Sequence, residues 1–190
     1  MLRLFALLSG LTGFTVFGVV ILTASSERTK LTISEQAASR KWSYLLVAIS
    51  GPILSSIFAW YLYHSFGPQF GLPFIYYVTV VIAWLCSLPA LAIPYHPVKK
   101  DLQRLHAGAF LGMSFMIVLA TITIAFAHDV NLLTHVAATI LAGWYLLILY
   151  FCVLFPGQAL VRHLKPYFLT FELSSMVSFF AFLMIVAFRG

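Results

Sequence analysis

Charged side chains are scarce in this chain of 190 residues, which has five Asp and Glu, eleven Lys and Arg, and only 8% charged residues in total. So few charges cannot cover the surface of a water-soluble domain of this size. Cysteine is scarce as well, and both cysteines, Cys86 and Cys152, fall inside apolar stretches. We therefore expect two free thiols that act as small apolar packing residues, and no disulfide framework of the secreted kind.

Apolar residues supply 62% of the chain, and most of them are gathered into six long stretches. A helix of roughly 20 apolar residues crosses the hydrocarbon core of a bilayer. The sequence therefore predicts one all-α domain over residues 1–190, an integral membrane bundle of six helices. The predicted spans are residues 4–23, 42–63, 74–93, 107–127, 135–155 and 168–188.

The positive charges alternate between the connections. Nine of the eleven Lys and Arg lie in the first, third and fifth connections, whereas the second has no charge and the fourth has only Asp129. Because cytoplasmic connections are enriched in Lys and Arg, we predict that these three are cytoplasmic and that both termini are on the outer side. Cleavage of the first stretch as a signal peptide would export the basic segment behind it, so we expect this span to be retained.

The net charge of +6 comes from cations beside the span ends and not from a basic run interleaved with exposed aromatic residues. Cations in such places reach the headgroups of the anionic cytoplasmic leaflet. The expected partners are therefore membrane lipids and, in addition, other membrane proteins, whereas nucleic acid is not expected. The expected location is a plasma or inner membrane.

Two predicted spans contain an interior proline, Pro52 in the second and Pro89 in the third. Each proline leaves the carbonyl one turn earlier without its helical donor. Paired broken helices can form a binding site at the membrane midplane, but a neighbouring hydroxyl can also repair the kink, and the repair is the simpler interpretation. Small residues at spacings near four predict close helix packing, namely Ser9, Gly13, Gly18, Ala107, Gly108, Gly112, Ala138, Ala142 and Gly143.

Four side chains near the predicted outer face suggest a metal site. His64 ends the second span, His128 and Asp129 end the fourth, and His135 begins the fifth. Three imidazoles and a carboxylate are suitable ligands for a zinc ion that activates water for hydrolysis. Histidines at span ends are also ordinary interfacial residues, and His128 and His135, seven apart across a loop, have neither HxxxH nor HExxH spacing. Both interpretations stay open, and the interfacial one is favoured.

Glu172 is the one acidic residue inside an apolar stretch, near the predicted cytoplasmic face. An intramembrane carboxylate needs a partner, and we expect His106 or Arg162 to supply it, with Arg104 and His163 close by. The pair is either a structural ion pair, which we favour, or a site for a lipid headgroup or a proton. A haem is a further alternative, but ligation by two histidines would have to use His106 and His135, which the predicted topology places at opposite faces.

Two short segments carry a family resemblance. The fourth stretch opens with Arg104 to Ala109 after a basic connection, and Thr32 to Glu35, Thr-Ile-Ser-Glu, forms a capping-box pattern after the first span. With the six spans, they resemble small six-span membrane proteins of unknown function related to the DRAM and Frag-like families. The resemblance implies a role for Ser34, His106 and Glu172. The glycine-containing polar motif usual in those families is absent from this chain.

The sequence thus favours a non-enzymatic membrane protein that binds lipid or serves as a small structural or regulatory component, with no cofactor. Two alternatives stay open at this point. One is a metal-dependent hydrolase that uses His64, His128, Asp129 and His135. The other is a haem-carrying electron-transfer protein.

Overall fold

The computed structural model describes residues 1–22, 41–93, 100–154 and 158–189. Residues 152–154 and 158–172, with Ile21, Lys100, Gln103 and Arg189, are described by their backbone only. Within these ranges the chain is helical and has no strand. The predicted fold class, an all-α bundle of membrane-spanning type, is confirmed: five helices are long and apolar enough to cross a membrane. The helices are α1 (Leu2–Leu22), α2 (Lys41–Tyr61), α3 (Phe74–Ala92), α4 (Lys100–Ala125), α5 (Leu132–Leu154) and α6 (Gln158–Arg189).

Helix bounds differ from the apolar stretches at several ends. Helix α4 begins at Lys100, seven residues before its predicted span. The exposed residues Asp101 and Arg104 belong to this first part of the helix, which precedes the apolar stretch. Beyond α2, a π-helical segment, Leu62–Phe66, and a short helix, Gly67–Gln69, extend the second span to 29 residues. The sixth helix covers 32 residues, and its part with described side chains, Leu173–Phe188, is a shorter apolar helix.

The six helices form a closed ring. Each helix packs against its neighbours in the sequence, and α1 packs against α6 to close the ring. The packing of α1 against both α2 and α6 is that expected of a span that belongs to the bundle. Because consecutive helices alternate in direction, both termini lie at one end of the ring, where Arg3 donates a hydrogen bond of 2.8 Å to Gln69 at the end of the second span. Which side of the membrane this end faces stays a prediction.

Large apolar side chains cover the outside of the ring. They are exposed along whole helices, for example Leu4, Leu8 and Leu11 on α1 and Ile140 and Leu147 on α5. The charged residues whose side chains are described all lie at or near helix ends, namely Arg3, Lys41, Asp101, Arg104 and Asp129. Lipid can satisfy such a surface, whereas water cannot.

Glycines allow close approach at several helix seams. A Cβ at Gly13 of α1 would lie 2.6 Å from Phe180 Cζ of α6, and one at Gly51 of α2 would lie 3.1 Å from Leu91 of α3. A Cβ at Gly112 of α4 would lie 3.1 Å from Sγ of half-buried Cys86 of α3. These contacts agree with the expectation for Gly13 and Gly112. At the other predicted packing glycines, Gly18, Gly108 and Gly143, a Cβ would have no described atom within 4 Å.

Neither interior proline ends its helix, since α2 continues through Pro52 and α3 through Pro89. Hydroxyl groups surround the first proline: Ser55 and Ser56 both donate to the Pro52 carbonyl, at 3.0 and 2.7 Å. Trp84 Nε1 of α3 in turn donates to Ser56 Oγ at 2.9 Å. The hydroxyls near the proline are therefore part of the seam between α2 and α3.

Aromatic side chains fill the space between the helices at the end of the bundle that holds the termini. We call this end the aromatic end. Tyr61, Phe66 and Tyr76 are each at most 1% exposed. In the π-helical segment, the Leu62 carbonyl accepts two hydrogen bonds, one from the Gly67 N–H and one from the Tyr76 hydroxyl at 3.3 Å. Tyr61 donates to the Val186 carbonyl of α6 at 3.1 Å. Side chains of α2, α3 and α6 thus close this end.

Candidate functional site

A cavity of about 250 Å³ lies inside the ring, and all six helices contribute to its wall. Along α4 the lining runs from His106 to Ile124, eighteen residues apart in the sequence. At 1.5 Å per residue this corresponds to about 27 Å, so the cavity is long and narrow. The space exists because small residues face it, namely Gly51, Ser55, Ala59, Ala83, Ser87, Ala90 and Ala120.

The wall of the cavity is apolar, although it contains several hydroxyl groups. Most of these already donate a hydrogen bond to a backbone carbonyl: Ser55 to Pro52, Ser87 to Trp84, and Thr121 to Ile117 at 2.8 Å. A hydroxyl that bonds to its own helix offers little to a ligand. Among the described lining residues there is no Asp, Glu, Lys or Arg. The cavity therefore offers a hydrocarbon environment over most of its length.

His106 lies at the other end of the cavity, opposite the aromatic end. Its Nδ1 is 3.0 Å from the Ile93 carbonyl, and the Tyr44 hydroxyl donates to the neighbouring Ala92 carbonyl at 2.8 Å. These carbonyls belong to the end of α3, where a helix leaves its last acceptors unpaired. Because a carbonyl only accepts, Nδ1 of His106 carries the hydrogen. His106 and Tyr44 thus bind α4 and α2 to the end of α3, and both also line the cavity.

Most of the site predicted around Glu172 lies outside the described side chains. Glu172, Arg162 and His163 are on the first part of α6, of which only the backbone is described, and Ser34 with the capping-box segment is outside the described residues altogether. The Glu172 pair therefore stays a prediction. The exposed Arg104 side chain lies on the first turns of α4, before the cavity begins.

The four outer residues proposed as metal ligands are all described, and they do not form one group. His64 is exposed in the π-helical segment and lies against Trp60, with ring centroids 4.0 Å apart. His128 and Asp129 are exposed between α4 and α5, and half-buried His135 is in the first turn of α5. In the part of the chain that the structure describes, no three His, Cys, Asp or Glu side chains come together as a metal site.

The fold also separates the two histidines of the haem interpretation. His106 is near the start of α4, and His135 is near the start of α5. Since α4 and α5 are consecutive and pack side by side, their first turns lie at opposite ends of the ring. No facing pair is formed by these two imidazoles.

Sequence reasoning missed the cavity and one residue of its wall, Tyr145. This tyrosine is 4% exposed and is the one described residue of α5 that lines the cavity. A signal for it did exist, because tyrosines of membrane helices concentrate at the interfaces, whereas Tyr145 lies near the middle of an apolar helix.

The geometry defines a class, a helical apolar bundle with the features of a membrane protein, and comparison with known proteins adds no narrower one. No family model matches the chain, and no curated protein or solved structure matches it either. The resemblance to the DRAM and Frag-like families therefore stays a prediction.

Proposed function

We propose that the protein binds a membrane lipid and holds its hydrocarbon part in the central cavity. The observation that carries the proposal is the wall itself, which is apolar over about 27 Å at the helical rise per residue. A bilayer's hydrocarbon core is about 30 Å thick, so an extended lipid chain matches the cavity in both polarity and length. The proposed role is binding, without a chemical step.

The exterior of the ring supports the same proposal. Its exposed apolar side chains are suited to contact with lipid, so in a membrane the proposed ligand would be the most abundant molecule around the protein. The aromatic end is closed by buried rings, whereas His106 and Tyr44 line the cavity at the other end. An empty apolar cavity forfeits dispersion contacts along its whole lining, and a hydrocarbon chain restores them.

A cavity-filling variant tests this proposal. Ala120 is 9% exposed and lines the cavity, whereas Ala107 on the same helix is exposed and does not. In protein purified in detergent and stripped of lipid, we expect Ala120→Leu to weaken the binding of a fluorescent long-chain hydrocarbon probe by about tenfold or more, since each methylene group that no longer fits forfeits about 0.8 kcal/mol. Ala107→Leu should bind the probe as the parent does.

Ala83→Leu, at a second lining position on α3, repeats the test where Ala120→Leu fails to fold. Thermal unfolding and size-exclusion elution would establish that each variant is folded. Equal probe affinity in the parent and in both folded lining variants, or no probe binding by the parent, would overturn the proposal.

A further inference from the structure

One hydroxyl group in the cavity wall has no hydrogen-bond partner among the described residues. Tyr145 lines the cavity and is 4% exposed. Within the described part of the chain its hydroxyl makes no hydrogen bond, whereas the lining hydroxyls of Ser55, Ser87 and Tyr76 all donate to backbone carbonyls. A buried hydroxyl without a partner is costly and rare in native structures.

Packing does not explain the hydroxyl of Tyr145. Phenylalanine fills almost the same volume without a polar atom, and the chain has 18 phenylalanines, several of them around this cavity. Phe110, Phe179 and Phe180 line it from α4 and α6. A phenylalanine at position 145 would avoid the cost of a buried unpaired hydroxyl. The hydroxyl therefore indicates a partner that enters the cavity from outside the protein.

The position of Tyr145 fixes how deep that partner reaches. Both α3 and α5 begin at the aromatic end, and Tyr145 and Ser87 are each thirteen residues beyond the first residue of their helix. Both therefore lie about 20 Å from that end, near the middle of the spans. The Ser87 hydroxyl donates to the Trp84 carbonyl at 2.7 Å, and its oxygen can still accept. The cavity thus has polar atoms from two helices at one depth.

The charge of the wall restricts the chemistry of the ligand at this depth. The described lining residues include no Asp, Glu, Lys or Arg, and the one histidine among them, His106, lies at the end of the cavity. A charged headgroup at the depth of Tyr145 would lose its hydration without gaining a counterion. A neutral hydroxyl or carbonyl oxygen loses far less, and a phenol hydroxyl can pair with either one.

We infer that the cavity binds a neutral lipid whose hydroxyl or carbonyl oxygen forms a hydrogen bond with Tyr145 at mid-membrane depth. Its hydrocarbon chain extends from there toward the aromatic end. From the depth of Tyr145, the part of the wall that α4 forms extends for about 18 Å toward the aromatic end, up to Ile124, at the helical rise per residue. This inference rests on the proposed lipid binding and adds the chemical class of the ligand.

A matched pair of probes tests the inference in full-length, lipid-free protein. Tetradecan-1-ol and tetradecane have the same chain and differ only by the hydroxyl group, and both are compared at the same mole fraction in the detergent micelle. Competition with the fluorescent probe described above gives their affinities. We expect the parent to bind the alcohol about three- to tenfold more tightly than the alkane, as one buried hydrogen bond provides.

The Tyr145→Phe variant should lose this preference and bind the alkane as the parent does. Lipid-free Tyr145→Phe should unfold at the same temperature as the parent or a higher one, which shows that any lost alcohol affinity is not a folding defect. Tyr150→Phe, at a position 51% exposed on the same helix, is the control and should keep the preference.

The outcomes separate the two proposals. If the alkane binds but Tyr145→Phe retains the preference for the alcohol, the oxygen is not recognised by Tyr145 and this inference fails while lipid binding stands. This inference also fails, and lipid binding stands, if the parent binds both probes with equal affinity. If neither probe binds to the parent, the proposed function fails too.

Discussion

At the aromatic end, side chains fill the space inside the ring, whereas farther along the same six helices surround a cavity. Phe66 and Tyr76 are fully buried and lie against each other, with ring centroids 6.4 Å apart. At the cavity, the inward positions hold residues such as Ala83 and Ala120. Side chains can therefore fill the space inside this ring of helices. The cavity results from small side chains at the inward positions and not from the geometry of the ring.

The hydrogen bonds of the hydroxyl groups also differ between the two regions. At the aromatic end, the tyrosine hydroxyls connect helices, as Tyr61 does with Val186 of α6. Around the cavity, the hydroxyls of Ser55, Ser87 and Thr121 bond within their own helix. Bonds between helices stabilise the bundle, whereas bonds within one helix only remove polarity from the wall. The aromatic end is therefore expected to supply stability, and the cavity to supply binding.

The largest expected effect comes from deleting a ring at the aromatic end. Phe66→Ala should lower the free energy of unfolding by about 3 kcal/mol, because Phe66 is 0% exposed and its removal leaves a void. The matched variant Phe110→Ala removes a half-buried ring that already borders the cavity, and it should cost about 1 kcal/mol, since fewer contacts are lost. Unfolding of both variants in mixed micelles measures the difference. Equal losses would contradict the division between the two regions.

An intermediate effect is expected at the seam that closes the ring. In Gly13→Ala the new methyl group would lie 2.6 Å from Phe180 Cζ, so α1 and α6 must separate or the ring of Phe180 must shift. Overpacking of this kind costs about 1–3 kcal/mol. Gly18→Ala on the same helix has no described atom within 4 Å of its new methyl group and is the control. Thermal unfolding of the two variants in detergent should separate them, and equal melting temperatures would argue against a tight seam between α1 and α6.

The smallest effect is expected from one hydroxyl at the aromatic end. Tyr61→Phe removes the bond to the Val186 carbonyl and should lower the free energy of unfolding by about 1 kcal/mol. The control, Tyr63→Phe, alters a tyrosine that is 38% exposed, and it should leave stability unchanged. The same unfolding assay in mixed micelles applies. An unchanged stability of Tyr61→Phe would mean that this bond does not help to hold α2 against α6.

Much of the fold follows from hydropathy. The six apolar stretches predicted six helices, because the length of each stretch is set by the thickness of a bilayer. The helix ends were predicted less well. The helical extension through Phe66 to Gln69 depends on Gly67, where a Cβ would lie 2.8 Å from Tyr77 Cε1, and such a close approach is a tertiary contact without a local signal.

The cavity could not be predicted, for a related reason. These helices are apolar on the side that faces lipid as well as on the side that faces the ring, so the sequence does not indicate which side is inward. Ala83 and Ala120 look like ordinary membrane residues until the fold places them around one space. Of the predicted site residues, His106 does line that space, but its place there depends on the packing of α4 against α3.

The seam between α1 and α6 has a consequence for the order of assembly. All other main seams join helices that are adjacent in the sequence, and each of those pairs can form as soon as its second helix has been synthesised. The contact between Phe14 and Phe180, with centroids 5.2 Å apart, joins residues from the two ends of the chain. Such a distant pairing forms last and carries the largest loop-closure cost. We therefore expect the enclosed space to form only at the final step of folding, when any lipid between the first and last helices would be either trapped or expelled.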